Sequence, residues 1–193
     1  MARFSVALVH HPVLHKDGST IASAITNTDL HDITRTATTY GVAAFYIVTP
    51  VAAQQALANR LIHHWTHGRG SERNPDRASA FAIMHVVPSL TDALAREAAH
   101  SPDGMDAWAS SAQPLDGAIS LVQGRKRLAG PRGAMLVLGT AHGLAAAAVE
   151  QCTVRLEPLP GCARQDGKRY NHLSVRAAAA IMIHALLADG PSP

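Results

Sequence analysis

The sequence has few cysteines, few aromatic residues and few charged residues. Only Cys152 and Cys162 are present, so the chain offers neither a disulfide framework nor a Cys-x-x-Cys pair, and we expect a protein of the reducing cytoplasm. Aromatic residues make up 4% and charged residues 16% of the 193 positions, against 47% hydrophobic residues. This balance excludes a disordered or fibrous chain and indicates a globular protein that can bury a full core.

Long hydrophobic runs are also missing, and we expect no targeting segment. No apolar stretch approaches the length of a membrane span, and the N-terminal residues do not read as a signal peptide. We therefore expect no membrane partner. The formal net charge of +3 is compatible with a nucleic-acid partner, although a mildly basic chain is weak support for one.

What the sequence does contain is an alternation of strand and helix patterns. Strands are predicted over 5–10, 42–50, 78–87, 118–122, 135–139 and 153–156. Helices are predicted over 30–40, 52–65, 91–99, 143–150 and from Leu173 or Ser174 onwards, with loops over 68–76 and 101–117. Asp29 is the predicted N-cap of the first helix, and Asn171 or Ser174 that of the last. The alternation predicts an α/β fold with a parallel sheet, in a single domain spanning 1–193.

Three segments near predicted strand ends are suited to binding a ligand, because ligands of open parallel sheets lie beyond the carboxyl ends of the strands. Leu138–Leu144 contains two glycines, which allow backbone N–H groups to approach a ligand closely. Leu156–Gly161 is a rigid strand exit with two prolines. Lys168–Ser174 is a polar segment that leads directly into an alanine-rich helix.

Together these segments resemble the cofactor half of the SPOUT class of RNA methyltransferases. In that class a Leu-Val-Leu-Gly-Thr/Ser loop, a Leu-x-Pro-Leu/Ile loop and an Asn-x-x-Ser-Val segment follow one another in this order, and Val137–Leu187 matches them closely. The resemblance implies an α/β fold with a C-terminal deep trefoil knot, which few proteins contain. It also implies that S-adenosylmethionine binds within the knotted loops, held largely by backbone groups.

The resemblance indicates which residues contact the cofactor. The expected contacts come from the three segments and from the end of one earlier strand. They are Leu138, Gly139, Thr140, His142 and Gly143; Leu156, Pro158 and Leu159; Tyr170, Asn171, His172, Leu173 and Ser174; and Val87 with Pro88 as a further wall.

The N-terminal half carries a second part of the resemblance. Thr28–Val42 is similar to the first motif of the class, in which an Arg-Thr-Ala run opens the helix before Tyr/Phe-Gly-Val. Arg35 is the matching arginine, and a guanidinium at this place can clamp a phosphate and steady an attacking hydroxyl. The alternative is that Arg35 is a solvated helix residue paired with Asp29 or Asp32. The sequence leaves both interpretations open.

The class builds its site across a homodimer and acts on rRNA or tRNA. The resemblance therefore implies that Arg35 holds the substrate phosphate or hydroxyl and serves the partner subunit's cofactor. Asn171 or Ser174 would orient the accepting atom, and Asp29 is the weaker candidate base. Ala141 stands where the ribose-methylating branch has an acidic residue, and Asn171–Arg176 fits a little-characterised branch better. Whether a base nitrogen or a ribose oxygen is methylated thus stays open.

Other functions fit less well. The histidine pairs His10–His11 and His63–His64 lack a second ligand cluster, so no metal site is predicted. A serine hydrolase would need a GxSxG elbow, and a nucleotide-binding oxidoreductase would need a GxGxxG fingerprint; neither is present. The alternative from a different class is a non-catalytic RNA-binding or ribosome-assembly protein that keeps the knot. In either RNA protein, the basic residues of 69–77 and 125–132 would be natural phosphate contacts.

Overall fold

The computed structural model describes residues 2–164, 167 and 169–188. Its centre is a six-stranded sheet with the order β5-β4-β1-β7-β6-β8, in which all neighbouring strands are parallel, as predicted. Two short antiparallel hairpins, β2-β3 and β9-β10, complete the described strands. The strands are β1 (Phe4–Val9), β2 (Val13–Leu14), β3 (Thr20–Ile21), β4 (Ala44–Val48), β5 (Met84–Val87), β6 (Met105–Ala109), β7 (Gly133–Gly139), β8 (Val154–Arg155), β9 (Cys162–Ala163) and β10 (Arg169–Tyr170).

Helices connect the strands and cover both faces of the sheet. Among the described residues, none of these helices is long and apolar enough to cross a membrane. The helices are α1 (Asn27–Thr39), α2 (Ala52–Thr66), α3 (Arg69–Arg73), α4 (Pro75–Phe81), α5 (Leu90–Ala98), α6 (Leu121–Leu128), α7 (Ala146–Val149) and α8 (Val175–Leu187).

The central strands are buried on both faces, which explains their near-continuous apolar sequences. Side chains of a strand alternate between the two faces. Phe4, Val6 and Leu8 of β1 therefore pack beneath α1, α2, α4, α6 and α8, whereas Ala7 and Val9 pack beneath α5 and α7. In the first of these two layers, α8 lies between α6 and α1, and α4 lies between α1 and α2.

Three segments differ from the sequence prediction. Residues 105–109 form strand β6, although 101–117 was expected to be a loop. The predicted strand over 78–87 begins only at Met84, because 75–81 is helix α4; α3 likewise replaces part of the expected loop over 68–76. The predicted strand over 118–122 gives way to helix α6, whose N-terminus is fixed by a reciprocal capping box between Ser120 and Gln123.

The helix caps show one error and one success of the sequence prediction. Thr26, not Asp29, is the N-cap of α1: its hydroxyl accepts a hydrogen bond of 3.2 Å from the Asp29 backbone N–H. Asp29 instead lies in the first turn, where a carboxylate is stabilised by the helix dipole. The last helix is capped by Ser174, as predicted, through a 3.4 Å bond from the Ala177 N–H.

The central strand β1 is followed by a buried histidine. His10 Nδ1 lies 3.0 Å from Ser23 Oγ, which lies 2.5 Å from Thr140 Oγ1, and Thr140 donates to the Val9 carbonyl at 3.0 Å. With the Thr140 proton on Val9, Ser23 can donate to Thr140 and accept from His10 in the tautomer that is protonated on Nδ1. This chain of bonds ties the ends of β1 and β7 together.

Burial lowers the pKa of His10 to about 4, because a charged imidazole would lose its hydration there; the nearby Asp29 carboxylate opposes this effect only in part. His10 is therefore neutral at physiological pH, and the hydrogen-bond chain to Thr140 persists.

We predict that the unfolding free energy falls as the pH is lowered from 6.5 to 4. Below pH 6.5 the unfolded chain binds a proton at His10, whereas folded His10 stays neutral until about pH 4. This difference should lower the unfolding free energy by up to about 3 kcal/mol over that range. Denaturant unfolding at several pH values measures the effect. The His10→Asn variant should lose this part of the pH dependence, and the exposed His67→Asn variant should keep it. An unchanged slope in His10→Asn would contradict the assignment.

Candidate functional site

The carboxyl ends of three adjacent strands form the candidate site. Strand β6 lies between β7 and β8, and all three run in the same direction. The segments that follow them, 140–143, 110–112 and 156–161, therefore leave the sheet at one edge, side by side. Two of these segments were predicted as cofactor loops; the third follows the strand that the sequence did not reveal.

The segment after β7 turns sharply and is held by the N-terminal hairpin. A Cβ on Gly139 would lie 2.5 Å from the Leu144 nitrogen, so only glycine permits this turn. The His142 N–H donates to the Leu14 carbonyl at 3.1 Å, and the Leu14 N–H donates to the Gly143 carbonyl at 2.9 Å. Ala141 has a φ of 52°, an uncommon conformation for a residue with a side chain. The backbone of this loop is thus fixed in place before any ligand binds.

The segment after β6 is fastened to both of its neighbours. Ser110 donates to the Val137 carbonyl of β7 through both its N–H, at 3.0 Å, and its hydroxyl, at 2.9 Å. On the other side, the Leu156 N–H donates to the Ala109 carbonyl at 2.9 Å. The carbonyl of Ala112 accepts a 3.3 Å bond from the Asn171 side chain. This last bond brings the segment before α8 to the same edge of the sheet.

The segment after β8 lies directly against the one that precedes α8. A Cβ on Gly161 would lie 2.1 Å from the Tyr170 carbonyl oxygen, so the two backbones touch at a position that accepts only glycine. Leu156 is fully buried, and Leu159 packs partly against the same core. Tyr170 and Leu173 are about half exposed, at 52% and 46%. The predicted segments 156–161 and 170–174 are therefore neighbours.

The groups available at this edge suit the neutral, polar adenosine part of a ligand. Within the described residues, the backbone N–H groups of Ala141, Leu159 and His172 donate no hydrogen bond. Leu138 and Leu156 are buried in the core, so they can offer a ligand only their backbone. Such unpaired donors beside apolar side chains match the backbone-dominated cofactor site that was predicted, and the residues present thus fit S-adenosylmethionine.

Val87 and Pro88 are not part of this arrangement. They end β5, the strand at the far edge of the sheet, and β4 and β1 separate it from β7. Val87 is buried in the layer that contains α5 and α7, on the face of the sheet opposite α8. The structure therefore places the predicted further wall away from the other candidates, whereas Ser110–Ala112 lies beside them.

Arg35 lies on a different surface, in the groove between α1 and α8. A cavity of about 430 Å³ is lined there by Asp32, Arg35, Tyr40 and Ala180 among others. Arg35 is exposed, and within the described residues it forms no ion pair. The expected alternative, a pair with Asp29 or Asp32, is not formed, because both carboxylates bind Arg176 instead.

Asp29 is occupied on both oxygens. Oδ2 accepts a 2.5 Å bond from the Thr26 hydroxyl, and Oδ1 accepts a 3.1 Å bond from Arg176. The residue is 8% exposed. These contacts suit an anchor between α1 and α8 better than a base that takes a proton from a substrate.

Sequence reasoning missed two parts of this region. The segment 110–112 was hidden because β6 was not predicted; its apolar run, Ala107–Ala109, is short and gives only a weak strand signal. Arg176 was noted only as the end of the Asn171–Arg176 run. Its charge in the first turn of a helix, where cations are unfavourable, was the available signal.

Comparisons with known proteins identify the family. A family model described as SAM-dependent RNA methyltransferase matches residues 3–188. The chain is 42% identical over 189 residues to a protein of Nitratidesulfovibrio vulgaris and 38% identical over 184 residues to one of Oleidesulfovibrio alaskensis, both named tRNA (guanine-N(1)-)-methyltransferase. Each match covers 95% of this chain but only 41% of the relative, so the chain spans about two fifths of their length.

Solved structures share the fold. A probable methyltransferase from Bordetella pertussis Tohama I superposes with a TM-score of 0.61 at 16% identity, over 96% of this chain and 94% of that one. The SpoU methyltransferase AviRb from Streptomyces viridochromogenes, in complex with the cofactor AdoMet, superposes with a TM-score of 0.57 at 16% identity, over 95% and 56% of the two chains.

These matches confirm the predicted SPOUT-class resemblance, the α/β fold and S-adenosylmethionine as the cofactor. The chain belongs to the family of S-adenosylmethionine-dependent RNA methyltransferases.

Proposed function

We propose that this chain binds S-adenosylmethionine at the edge formed by β7, β6 and β8 and transfers its methyl group to tRNA. The observation that carries the proposal is that segments 140–143, 110–112, 156–161 and 170–174 meet there with unpaired backbone donors. The names of the two relatives favour tRNA as the acceptor. Because this chain spans 41% of each relative, the guanine position in their name is not carried over. We also propose a cytoplasmic location and a single domain.

The bound cofactor supplies an activated methyl group on sulfur. The chain's own residues hold it and exclude water: Gly139–Gly143 and Leu156–Leu159 offer backbone groups, and Tyr170 and Leu173 offer apolar surface. Asn171 is fixed by Ala112 and can orient the accepting atom, whereas the Ser174 hydroxyl caps α8. Catalysis then consists mainly of holding the acceptor in line with the methyl group. The trefoil knot remains a prediction from the resemblance.

We predict that Gly161→Ala weakens S-adenosylhomocysteine binding by about tenfold or more, because the new Cβ separates the two backbones that line the site. Isothermal calorimetry measures the affinity. Gly130→Ala is the matched control: its Cβ would come no closer than 3.2 Å to another atom, away from the site, and binding should be unchanged. Wild-type affinity in Gly161→Ala, or no binding by the wild-type protein at millimolar ligand, would overturn the proposed site.

We propose that Arg35 acts in a homodimer. Arg35 lies eight residues into α1, about 12 Å along the helix from its start at the site edge, so within one chain it does not join the cofactor segments. Exposed apolar side chains on and beside α8 support a second copy: Ile181 of α8 is 44% exposed, with Ala177 one turn before it, and Leu173, just ahead of the helix, is 46% exposed. A partner bound along α1 and α8 would bring Arg35 to the other subunit's site.

The Arg35→Ala variant should lose about ten- to hundredfold in the rate of methyl transfer to a tRNA transcript, the size of a charge-assisted contact to phosphate. Transfer of tritium from labelled S-adenosylmethionine measures this, and cofactor affinity should not change. The rate of Arg35→Lys should fall between those of the wild type and Arg35→Ala, because lysine keeps the charge but cannot form the bidentate contact.

Mixed dimers separate the shared site from a site within one chain. Arg35→Ala and Gly161→Ala subunits, each impaired alone at limiting cofactor, should regain part of the wild-type rate when they are mixed, since one site of the mixed dimer is intact. No recovery would contradict a shared site. If the wild-type protein binds RNA but transfers no methyl group to it, a non-catalytic binding role is favoured instead.

We propose that RNA phosphates lie along α2, α3 and α4, beside α1. Arg60, Arg69 and Arg73 are exposed there, and among the described residues they form no ion pair. Arg77 stacks on the half-buried Trp65, 4.6 Å from the ring centroid, and Trp65 also contacts His31, one turn before Arg35. The positive surface is therefore continuous with the helix that carries Arg35.

Replacing Arg60, Arg69 and Arg73 by Gln should weaken tRNA binding and flatten its salt dependence. Each lost phosphate contact should reduce the slope of log K against log salt by about 0.7 to 0.9. Of the two basic groups expected from the sequence, the one over 125–132 lies away from α1, and we propose no RNA contact for it. The matched control removes three charges of that group, at Arg125, Lys126 and Arg127 of α6, on the far side of α8 from α1. Equal losses in both triple variants would show that only net charge matters and would contradict a defined surface.

A further inference from the structure

Arg176 joins the first turns of helices α1 and α8. Its NH1 lies 3.1 Å from Asp29 Oδ1, and its Nε lies 3.6 Å from Asp32 Oδ2. The Asp29 side chain is 11% exposed, the Arg176 side chain 40% and the Asp32 side chain 48%. One guanidinium therefore binds two carboxylates that lie one turn apart on α1.

The position of Arg176 is unfavourable for a positive charge unless something compensates for it. It is the second residue of α8, where the helix dipole is positive and carboxylates are preferred. No acidic residue lies in that first turn. The compensation comes from Asp29 and Asp32 on the neighbouring helix. A cation at the start of a helix, paired with carboxylates on another helix, indicates that Arg176 has a role beyond the formation of α8.

The two carboxylates are also the natural partners of Arg35. Asp32 and Arg35 are three residues apart on α1, a spacing at which oppositely charged side chains pair. Both line the cavity between α1 and α8. Yet Asp32 is bound to Arg176, and Arg35 forms no ion pair among the described residues. Within the part of the chain that the structure describes, the guanidinium of Arg35 thus has no counter-ion in this groove.

We propose that Arg176 is a positioning residue: by holding Asp29 and Asp32, it keeps the guanidinium of Arg35 free to bind an RNA phosphate. This rests on the proposed contact between Arg35 and RNA. Without Arg176, Asp32 competes with the phosphate for Arg35, and the bidentate contact must first break an ion pair.

The test measures the affinity of variants for a fluorescently labelled tRNA transcript. Arg176→Gln should raise the Kd about two- to fivefold, the size of one exposed ion pair, and Arg176→Lys should stay close to the wild type. Adding Asp32→Asn to Arg176→Gln should restore the wild-type Kd, because the competitor of Arg35 is removed. In an Arg35→Ala background, Arg176→Gln should cause no further loss.

Two controls distinguish this role from a structural one. Arg132→Gln breaks a comparable ion pair, 2.9 Å long with Asp106, at the amino end of the sheet and should leave the Kd unchanged. Adding Glu150→Gln to Arg176→Gln gives the same net charge as the Asp32→Asn double variant and should not rescue binding. Rescue by Glu150→Gln, or none by Asp32→Asn, would overturn the proposal.

A crystal structure of Arg176→Gln tests the same point without RNA. It should show the Arg35 guanidinium within 4 Å of an Asp32 carboxylate oxygen, an ion-pair distance. An Arg35 that stays unpaired would overturn the proposal. If Arg35→Ala itself leaves tRNA binding and methyl transfer unchanged, the proposed function of Arg35 fails, whereas loss in Arg35→Ala without loss in Arg176→Gln rejects the role of Arg176 alone.

Discussion

The parallel direction of all six strands of the sheet is the constraint on which the candidate site depends. Parallel strands place every carboxyl end at one edge, so segments far apart in the chain meet there. Strand β7 connects the two halves of the sheet, because it pairs with β1 on one side and β6 on the other. The bonds from Thr140 to Val9 and from Ser110 to Val137 fasten the neighbouring strand ends to each other. The site is thereby preorganised by backbone pairing.

The second determinant is the way α8 begins. Ser174 caps the helix, Asn171 binds the segment after β6, and Arg176 binds α1. Six residues therefore connect the proposed cofactor edge to the helix that carries Arg35. The two proposed tasks, binding the cofactor and binding RNA, meet at this one segment. Its charged end neutralises carboxylates, and its uncharged beginning lines the cofactor edge.

Much of this architecture could be predicted from local patterns. Short runs of consecutive residues are enough to predict the buried strand at 135–139 and the Ser174 cap. Strand β6 was not predictable in the same way, because Asp106 and the small alanines give it a weak strand pattern and Gly104 before it indicates a turn. The strand is stabilised by its pairing with β7 on one side and β8 on the other. The distance of Val87 from the other candidate residues has the same origin, since the order of strands in a sheet depends on contacts distant in sequence. The partners of Arg176 are equally non-local.

The most direct measurement is a crystal structure of this protein with S-adenosylhomocysteine. The account predicts that the ligand contacts segments 110–112, 139–143, 156–161 and 170–174, with hydrogen bonds from backbone N–H groups such as those of Leu159 and His172. It also predicts that Val87 and Pro88 make no contact with the ligand. Binding beside β5, or in the groove between α1 and α8, would contradict it.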